Sequence, residues 1–314
     1  MRLIISRLVS VVPVVCLITI FAFLVVDLVP GNVVYAIVGD DADQATIDRI
    51  TEALRLNDPV LTRYLNWVGG MLQGDFGRSL YGGESVGNMI AQRLPTTLSL
   101  TVFAIVFGII IGVPLGILSG TTRSAAADRL TTIAITLAIS VPNYVFALLF
   151  ALVMALNLRL FPTTGYAPLM TDPAGWLYHL ILPALALSFA PAAVVARQLR
   201  GALKEVLRSD YIRAARAKGL RSGAVLFRHA LRNAAGPALT ALGIQVAHLL
   251  GGAVAIEQVF ALPGLGQLAI NAVSTRDFTV IQSVVVVGAL AVVGVNLIVD
   301  VIYMMLNPKV SMDG

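Results

Sequence analysis

The residue types that most often carry catalysis are few and scattered in this chain of 314 residues. The three histidines stand at positions 179, 229 and 248, and Cys16 is the one cysteine. A metal site needs several such ligands that converge, and an internal disulfide needs a second cysteine. The sequence also has no phosphate-binding loop of the Gly-x-x-x-x-Gly-Lys-Ser/Thr type. We therefore expect no catalysis, no metal and no ATP hydrolysis by this chain itself.

A second group of residues favours docking. The segment 209–233 is rich in basic and small residues. Ser209 or Asp210 suits a helix N-cap, three alanines favour helix, and Gly219 fits a left-handed C-cap. The pattern predicts a short helix followed by a tight turn.

A second helix is expected to begin at Ser222 and to end before Gly236-Pro237. The small residues of the segment allow close docking into a groove, and its arginines can pair with acidic residues of a partner. A basic loop that lies on anionic lipid headgroups has the same composition. The residues alone leave both interpretations open.

Polar side chains also occur inside long apolar runs. Gln245 and His248 are three residues apart and share one helix face, while Asn143 and Asn296 lie in two other runs. Such residues usually face the interior of a helix bundle or a water-filled path. They either line a pathway or bond to a neighbouring helix.

Four glycines recur every fourth residue within one apolar run. This spacing places them on one helix face, where small residues permit close helix packing. The packing partner is expected within the same subunit, although the contact between two subunits remains open. The residues are Gly108, Gly112, Gly116 and Gly120.

The elements that must position these residues are membrane helices. Hydrophobic residues make up 58% of the chain and charged residues only 12%, whereas soluble proteins carry roughly 25% charged residues. The apolar runs have the length of about 20 residues that a spanning helix needs, with none of the alternation typical of strand barrels. We predict an all-α integral membrane protein with about six spans, at residues 8–26, 96–119, 130–158, 180–196, 237–256 and 281–299.

The distribution of basic residues indicates the orientation. The first run is too long for a signal peptide core and is followed by no small-x-small cleavage site, so we expect it to be retained. Of 22 basic residues, 15 then fall on the face that carries both termini. The positive-inside rule places both termini in the cytoplasm of a multi-pass protein. This loop bias also explains the net charge without nucleic-acid binding.

Residues 31–94 form the larger external segment, with helices expected at 44–54 and 60–72 and a glycine-rich stretch after them. Apolar residues such as Trp67 and Phe76 favour a small folded cap over an unfolded loop. The chain is expected to divide into an N-terminal helix at 1–30, this external segment, and a core at 95–314 that contains the cytoplasmic loop 200–236.

Several motifs resemble one family of transporters. Arg213-Ala214-Ala215-x-x-x-Gly219 resembles the EAA loop of binding-protein-dependent ABC importer permeases, with Arg213 where many members have Glu. The stretch from Asp210 to Asn233 is similar to the dipeptide, oligopeptide and nickel class within that family. Further similar motifs are 28–31 (followed by Asn32-Val33, where the family often has Asp-Pro), 74–77, 93–98, 179–183 and 257–266.

The resemblance implies a type I permease fold in the inner membrane of a bacterium. The cytoplasmic helix would then couple the membrane helices to an ATPase subunit that binds ATP and Mg²⁺. The resemblance also implies a second permease subunit and an external substrate-binding protein. The coupling residues that it implies are Asp210, Arg213, Ala214, Ala215, Arg216, Lys218, Gly219 and Leu220.

The resemblance implies di- or oligopeptides as substrates, with nickel chelates and glutathione as alternatives. An ion-coupled secondary transporter usually needs an ionisable group near the centre of the bilayer. Here Asp27 and Asp300 lie near the ends of runs, and only His248 is deep. The secondary transporter is therefore the weaker interpretation.

Overall fold

The computed structural model describes residues 2–27, 34–35, 42–53, 56–122 and 124–306. The motif at 28–31 and the Asn32-Val33 dipeptide that follows lie outside these residues. The described chain is almost entirely helical, and one isolated antiparallel bridge joins Arg78 and Ser85. The predicted all-α class is confirmed.

The helices are numbered here along the described chain. In chain order they are α1 Arg2–Asp27, α2 Gln44–Ala53, α3 Val60–Leu72, α4 Val86–Thr121, α5 Ala125–Ser140, α6 Asn143–Phe150 with a π-helical end Ala151–Asn157, α7 Pro173–Val206, α8 Asp210–Ala217, α9 Ser222–Val259, α10 Leu265–Thr275 and α11 Phe278–Leu306.

Four of these helices are long and apolar enough to cross a membrane. They include the whole of α4, α7 and α9, and the part of α11 from Phe278 to Ile298. The apolar stretch Val11–Leu24 of α1 is shorter than a full span. Six spans therefore stays a prediction, of which the described residues support four continuous helices and a fifth that is broken.

The broken one corresponds to the predicted span 130–158, which is not one continuous helix. Helices α5 and α6 meet at an angle of 99°. Pro142 lies between them, and the preceding Val141 is extended, with φ −84° and ψ 125°. A proline disfavours the helical conformation of the residue before it, so the apolar run bends where the sequence places Pro142.

The predicted helix end before Gly236-Pro237 is also wrong. Helix α9 continues through Pro237 to Val259, and it includes a π-helical segment, Val225–Ala230. Ala234 and Ala238 are buried on either side of the proline. Burial on both sides offsets the loss of one backbone hydrogen bond at Pro237.

The chain forms two compact units. One consists of Met1–Thr96 with Pro263–Gly294, and the other of Thr97–Leu262 with Val295–Gly314. In the first unit, α2 and α3 confirm the two helices predicted for the external segment. Within this unit the buried Asp277 accepts hydrogen bonds from the Ser79 hydroxyl and the Leu80 amide, so residues distant in sequence fold together.

The second unit has its core along α7. Fifteen residues of this helix are buried, among them Leu180, Leu187 and Leu199. These side chains separate into two clusters, one of which includes Leu249 and Ile256 of α9 and the other Ile212 of α8. Helix α7 therefore connects the membrane helices to the short helix α8.

Candidate docking loop and membrane polar residues

The loop begins with a backbone turn after α7. Ser209 occupies the N-cap position of α8, but its hydroxyl donates to the carbonyl of Val206 at 2.6 Å. The predicted N-cap residue is thus present, without a side-chain bond to the helix. Asp210 in the first turn and Arg216 in the last turn both interact favourably with the helix dipole.

Gly219 ends this element in the left-handed conformation, with φ +80°. Its amide donates to the carbonyl of Arg216 at 2.9 Å, and the Lys218 amide donates to Ala214 at 3.0 Å. A Cβ added at Gly219 would meet no atom within 4 Å. The glycine is therefore required by the backbone turn and not by lack of space.

One side chain anchors α8 to the rest of the unit. Ile212 is fully buried in the cluster that contains Leu199, Leu203 and Val225. Burying such a side chain is worth about 1.5–3 kcal/mol. A second contact comes from α9, where the Asn233 amide donates to the Tyr211 hydroxyl at 2.9 Å. Helix α8 is thus held against α7 and α9 along one side only.

The other side of the loop is exposed and strongly basic. Residues 207–233 contain seven Arg and Lys residues and a single acidic residue, Asp210. Three large apolar side chains are exposed among them, namely Tyr211, Leu220 and Phe227. Arg213 and Asp210 form an ion pair at 2.8 Å, but both are so exposed that the pair contributes little to stability.

The eight predicted coupling residues are mostly accessible to a partner. Seven of them are exposed, and Ala215 is partly buried against the Ile212 cluster. Exposed apolar side chains among basic residues suit a partner with an acidic, partly apolar groove.

The four spaced glycines of α4 all face α7. A Cβ at Gly108 would lie 3.4 Å from Pro191, and one at Gly112 only 2.5 Å from the carbonyl oxygen of Ala192. The same added atom would lie 2.9 Å from Leu199 at Gly116 and 3.0 Å from Leu203 at Gly120. The two helices are therefore so close that only glycine fits at Gly112.

The polar residues of the membrane helices fall into two sets. Asn143 lies beside Gly252 of α9, where an added Cβ would be 3.4 Å from the Asn143 amide nitrogen. Gly252 is one turn beyond His248 and two turns beyond Gln245, on the same face of α9. Asn143, Gln245 and His248 thus share one side of α9. Among the described residues, no side-chain hydrogen bond joins Asn296 of α11 to them.

Two acidic residues were given no role of their own by the sequence analysis. Glu257, at the end of α9, is fully buried and accepts a hydrogen bond from the Thr97 hydroxyl at 2.6 Å. Asp128, in the first turn of α5, binds the Arg200 and Lys204 side chains of α7 at 2.8 and 2.9 Å. Each acid stands at the edge of an apolar run, which is the signal that the sequence offered.

The ion pairs of Asp128 keep this carboxyl ionised. Asp128 precedes the uncharged run that begins at Leu130, and so lies outside the predicted span. Hydrogen bonds from Lys204 and Arg200 lower the pKa of its carboxyl below the usual range. The group is therefore fully charged at neutral pH, and it connects α5 to α7 close to α8.

Comparison with known proteins identifies a family whose members are similar to this chain. The family described as "binding-protein-dependent transport system inner membrane component" matches residues 112–312, and its N-terminal counterpart matches residues 1–101. A chain of the MetNI methionine ABC transporter, in an inward-facing conformation, has the same fold over 69% of this chain and 96% of its own, with a TM-score of 0.59 and 22% identity.

Three relatives extend over nearly the whole chain. The oligopeptide transport system permease protein AppB of Bacillus subtilis is 37% identical and covers 98% of both chains. A "probable peptide ABC transporter permease protein" of Sinorhizobium fredii is also 37% identical over 98% of both. The glutathione transport system permease protein GsiC of Escherichia coli is 36% identical over 98% of both.

Proposed function

This chain belongs to the family of binding-protein-dependent transport system inner membrane components, and from that membership we propose that it forms half of a peptide-conducting channel. It is a permease subunit of an ABC importer. Its own role is to conduct the substrate, while separate subunits hydrolyse ATP and carry the Mg²⁺. A second permease subunit completes the channel, and an external binding protein delivers the substrate.

The observation that carries this proposal is the geometry of α8. Ile212 fixes one side of the helix in the core of the unit, and seven predicted coupling residues are exposed on the other. When a docked ATPase moves α8, the movement passes to α7 and α9. The reason is that Ile212 packs in one buried cluster with side chains of both helices. A loop that merely lies on lipid does not need such an anchor.

The residues that line the channel are assigned from their positions and from the hydrogen bonds that their side chains lack. Asn143, Gln245 and His248 share a side of α9, and the side chain of none of them forms a hydrogen bond with another described residue. Polar groups in a bilayer need a polar neighbour or water. We assign them, with Asn296, to the lining of the channel, where hydrated substrate supplies that neighbour.

Orientation and division of the chain follow the charge pattern. The termini and the loop 200–236 face the cytoplasm of a bacterial inner membrane, and residues 31–94 form the external cap. The N-terminal helix at 1–30 and the core at 95–314 complete this division. Lipid surrounds the apolar faces of the helices, and no nucleic acid takes part.

Short peptides are the substrates that the relatives favour. Two of the relatives with 37% identity have names that refer to peptide or oligopeptide transport. The relative with 36% identity is named for glutathione, which is itself a short peptide. Nickel chelates are the competing substrate.

Reconstitution tests the proposal directly. The chain is placed in liposomes with its ATPase, second permease and binding protein, and uptake of a labelled tripeptide, glutathione and a nickel chelate is compared. We expect ATP-dependent uptake of the peptides that disappears when this subunit is omitted. Uptake without ATP, or uptake of the nickel chelate alone, would refute the proposed energy source or substrate.

A further inference from the structure

A cavity of about 520 Å³ lies within the unit that contains the external segment. Its wall combines three arginines, Arg49, Arg63 and Arg78, with aromatic side chains that include Trp67 and Phe278. Small-molecule sites in proteins usually occupy about 300–1,000 Å³, with mostly apolar walls and a few polar groups that fix the ligand. The cavity has both the size and the composition of such a site.

The charge of the wall contrasts with the segment around it. Residues 31–94 contain eight acidic and five basic residues. Of the four basic residues that the structure describes there, three line the cavity. None of the six described acidic residues does so. The described basic residues of this acidic segment are thus concentrated at the cavity.

Arg78 keeps hydrogen-bonding capacity for a ligand, and Arg63 is held against an aromatic ring. The Arg63 guanidinium stands 5.4 Å from the centroid of the Phe23 ring, which orients it. Arg78 donates one hydrogen bond, from Nη1 to the carbonyl of Gly83 at 3.2 Å, out of the five N–H donors that a guanidinium has. Guanidinium groups bind carboxylates with two parallel bonds.

The aromatic wall contains one buried polar group. The indole nitrogen of Trp67 is buried and has no hydrogen-bond partner among the described residues. An indole N–H can only donate, and a buried donor without an acceptor is destabilising. Because this nitrogen has almost no accessible surface, Trp67 offers a ligand in the cavity only the apolar atoms of its ring.

We propose that this cavity binds the terminal carboxylate of a short peptide, and that its aromatic wall receives an adjacent apolar side chain. Arg49 and Ile50 come from α2, a polar helix with Asp48 and Glu52 exposed, so this wall stands in water and not in lipid. That location favours a soluble carboxylate over a lipid phosphate. The peptide as the source of the carboxylate rests on the proposed function.

Binding to the full-length protein in nanodiscs of neutral lipid tests this. The probes are the tripeptide Ala-Phe-Ala and its C-terminal amide, followed by tryptophan emission, since Trp67 is one of only two tryptophans. We expect the acid to bind at least about tenfold more tightly than the amide, because charged hydrogen bonds are the stronger ones. Arg49→Gln should remove most of this difference.

The matched control is Arg93→Gln, which removes the described basic residue of the segment that does not line the cavity. Its affinity for Ala-Phe-Ala should equal that of the wild type. Equal binding of acid and amide, or unchanged binding in Arg49→Gln, would overturn the proposal. Loss of peptide binding when anionic lipid replaces neutral lipid would also overturn it, because a lipid headgroup would then be the occupant.

Uptake by the same purified protein, reconstituted in liposomes with its ATPase, second permease and binding protein, separates this inference from the proposed function. Peptide uptake by the assembled transporter without binding at the cavity would refute the carboxylate site and leave the function intact. Peptide-acid binding at the cavity without uptake of any peptide would refute the proposed function and leave the carboxylate site.

Discussion

At the scale of single residues, Gly219 offers the clearest test of the loop. Its backbone is left-handed and its surroundings are open. A larger side chain therefore fits at this position, provided that the new residue can adopt the left-handed conformation. Asn adopts this conformation more readily than other residues, and a β-branched residue hardly does. We expect Gly219→Asn to retain most ATP-dependent uptake and Gly219→Val to lose it, with both proteins inserted in the membrane at normal levels.

Gly219→Asp separates charge from conformation at the same position. Asp and Asn have nearly the same shape, but Asp adds a negative charge to a surface that we propose docks on acidic residues. Like charges across an interface cost several kcal/mol, so uptake should fall by at least about tenfold relative to Gly219→Asn. Equal uptake by the two variants would contradict docking on an acidic partner.

A further residue-scale prediction concerns Asp128. Its pKa is lowered in the folded protein by Lys204 and Arg200, so its contribution to stability is present at neutral pH and is lost as pH falls through that pKa. Asp128→Asn should therefore lower the Tm of the purified protein at pH 7. The difference in Tm from the wild type should stay constant down to about pH 5 and shrink below the usual Asp pKa of about 3.9. A difference that is unaffected by acid would exclude the ion pairs as its cause.

At the scale of elements, the contact between α4 and α7 depends on the absence of side chains. A Cβ at Gly112 would lie 2.5 Å from the carbonyl oxygen of Ala192, so the two backbones must separate to admit it. Overpacking of this kind costs about 1–3 kcal/mol. Gly112→Ala should lower the Tm of the purified protein in detergent.

Gly201→Ala is the matched control for Gly112→Ala. Gly201 lies within α7, and a Cβ there would meet no atom within 4 Å. Alanine is favoured over glycine inside a helix by about 0.8–1 kcal/mol. This variant should be as stable as the wild type or more stable. If both substitutions had the same effect, close packing of α4 on α7 would not be what Gly112 provides.

The elements also show how far sequence reasoning reaches. Apolar runs and cap signals predicted α2, α3 and α8, because these features act within one or two helical turns. The bend at Pro142 and the continuity of α9 through Pro237 were not predicted, although both positions are prolines. One proline ends a helix and the other does not, because burial of Ala234 and Ala238 by distant residues decides the outcome at Pro237.

The candidate site shows the same difference between features set by local sequence and features set by distant residues. The exposed coupling residues follow from local composition, whereas their anchor at Ile212 depends on residues of α7 and α9. The partners of Asp128 and Glu257 lie 72 and 160 residues away in the chain. The cavity lined by Arg49, Arg63 and Arg78 likewise needs the folded unit to bring its wall together.

At the scale of the whole molecule, the orientation in the membrane connects the proposals. The loop 200–236 can meet an ATPase only in the cytoplasm, and the arginine-lined cavity can receive a delivered peptide only outside. The charge pattern predicts this arrangement, since 15 of 22 basic residues lie on the face of the termini. Cys16 is the only cysteine, so a Cys16→Ser background allows labelling at chosen sites.

The two reporter sites are Asn57→Cys in the external segment and Ser222→Cys in the loop, both at exposed positions. A membrane-impermeant maleimide added to intact cells should label Asn57→Cys and leave Ser222→Cys unlabelled. Permeabilised cells should show both labelled, which confirms that each site is accessible. Labelling of Ser222→Cys in intact cells would place α8 outside the cytoplasm, where it could not dock on an ATPase, and would refute the coupling role of the loop.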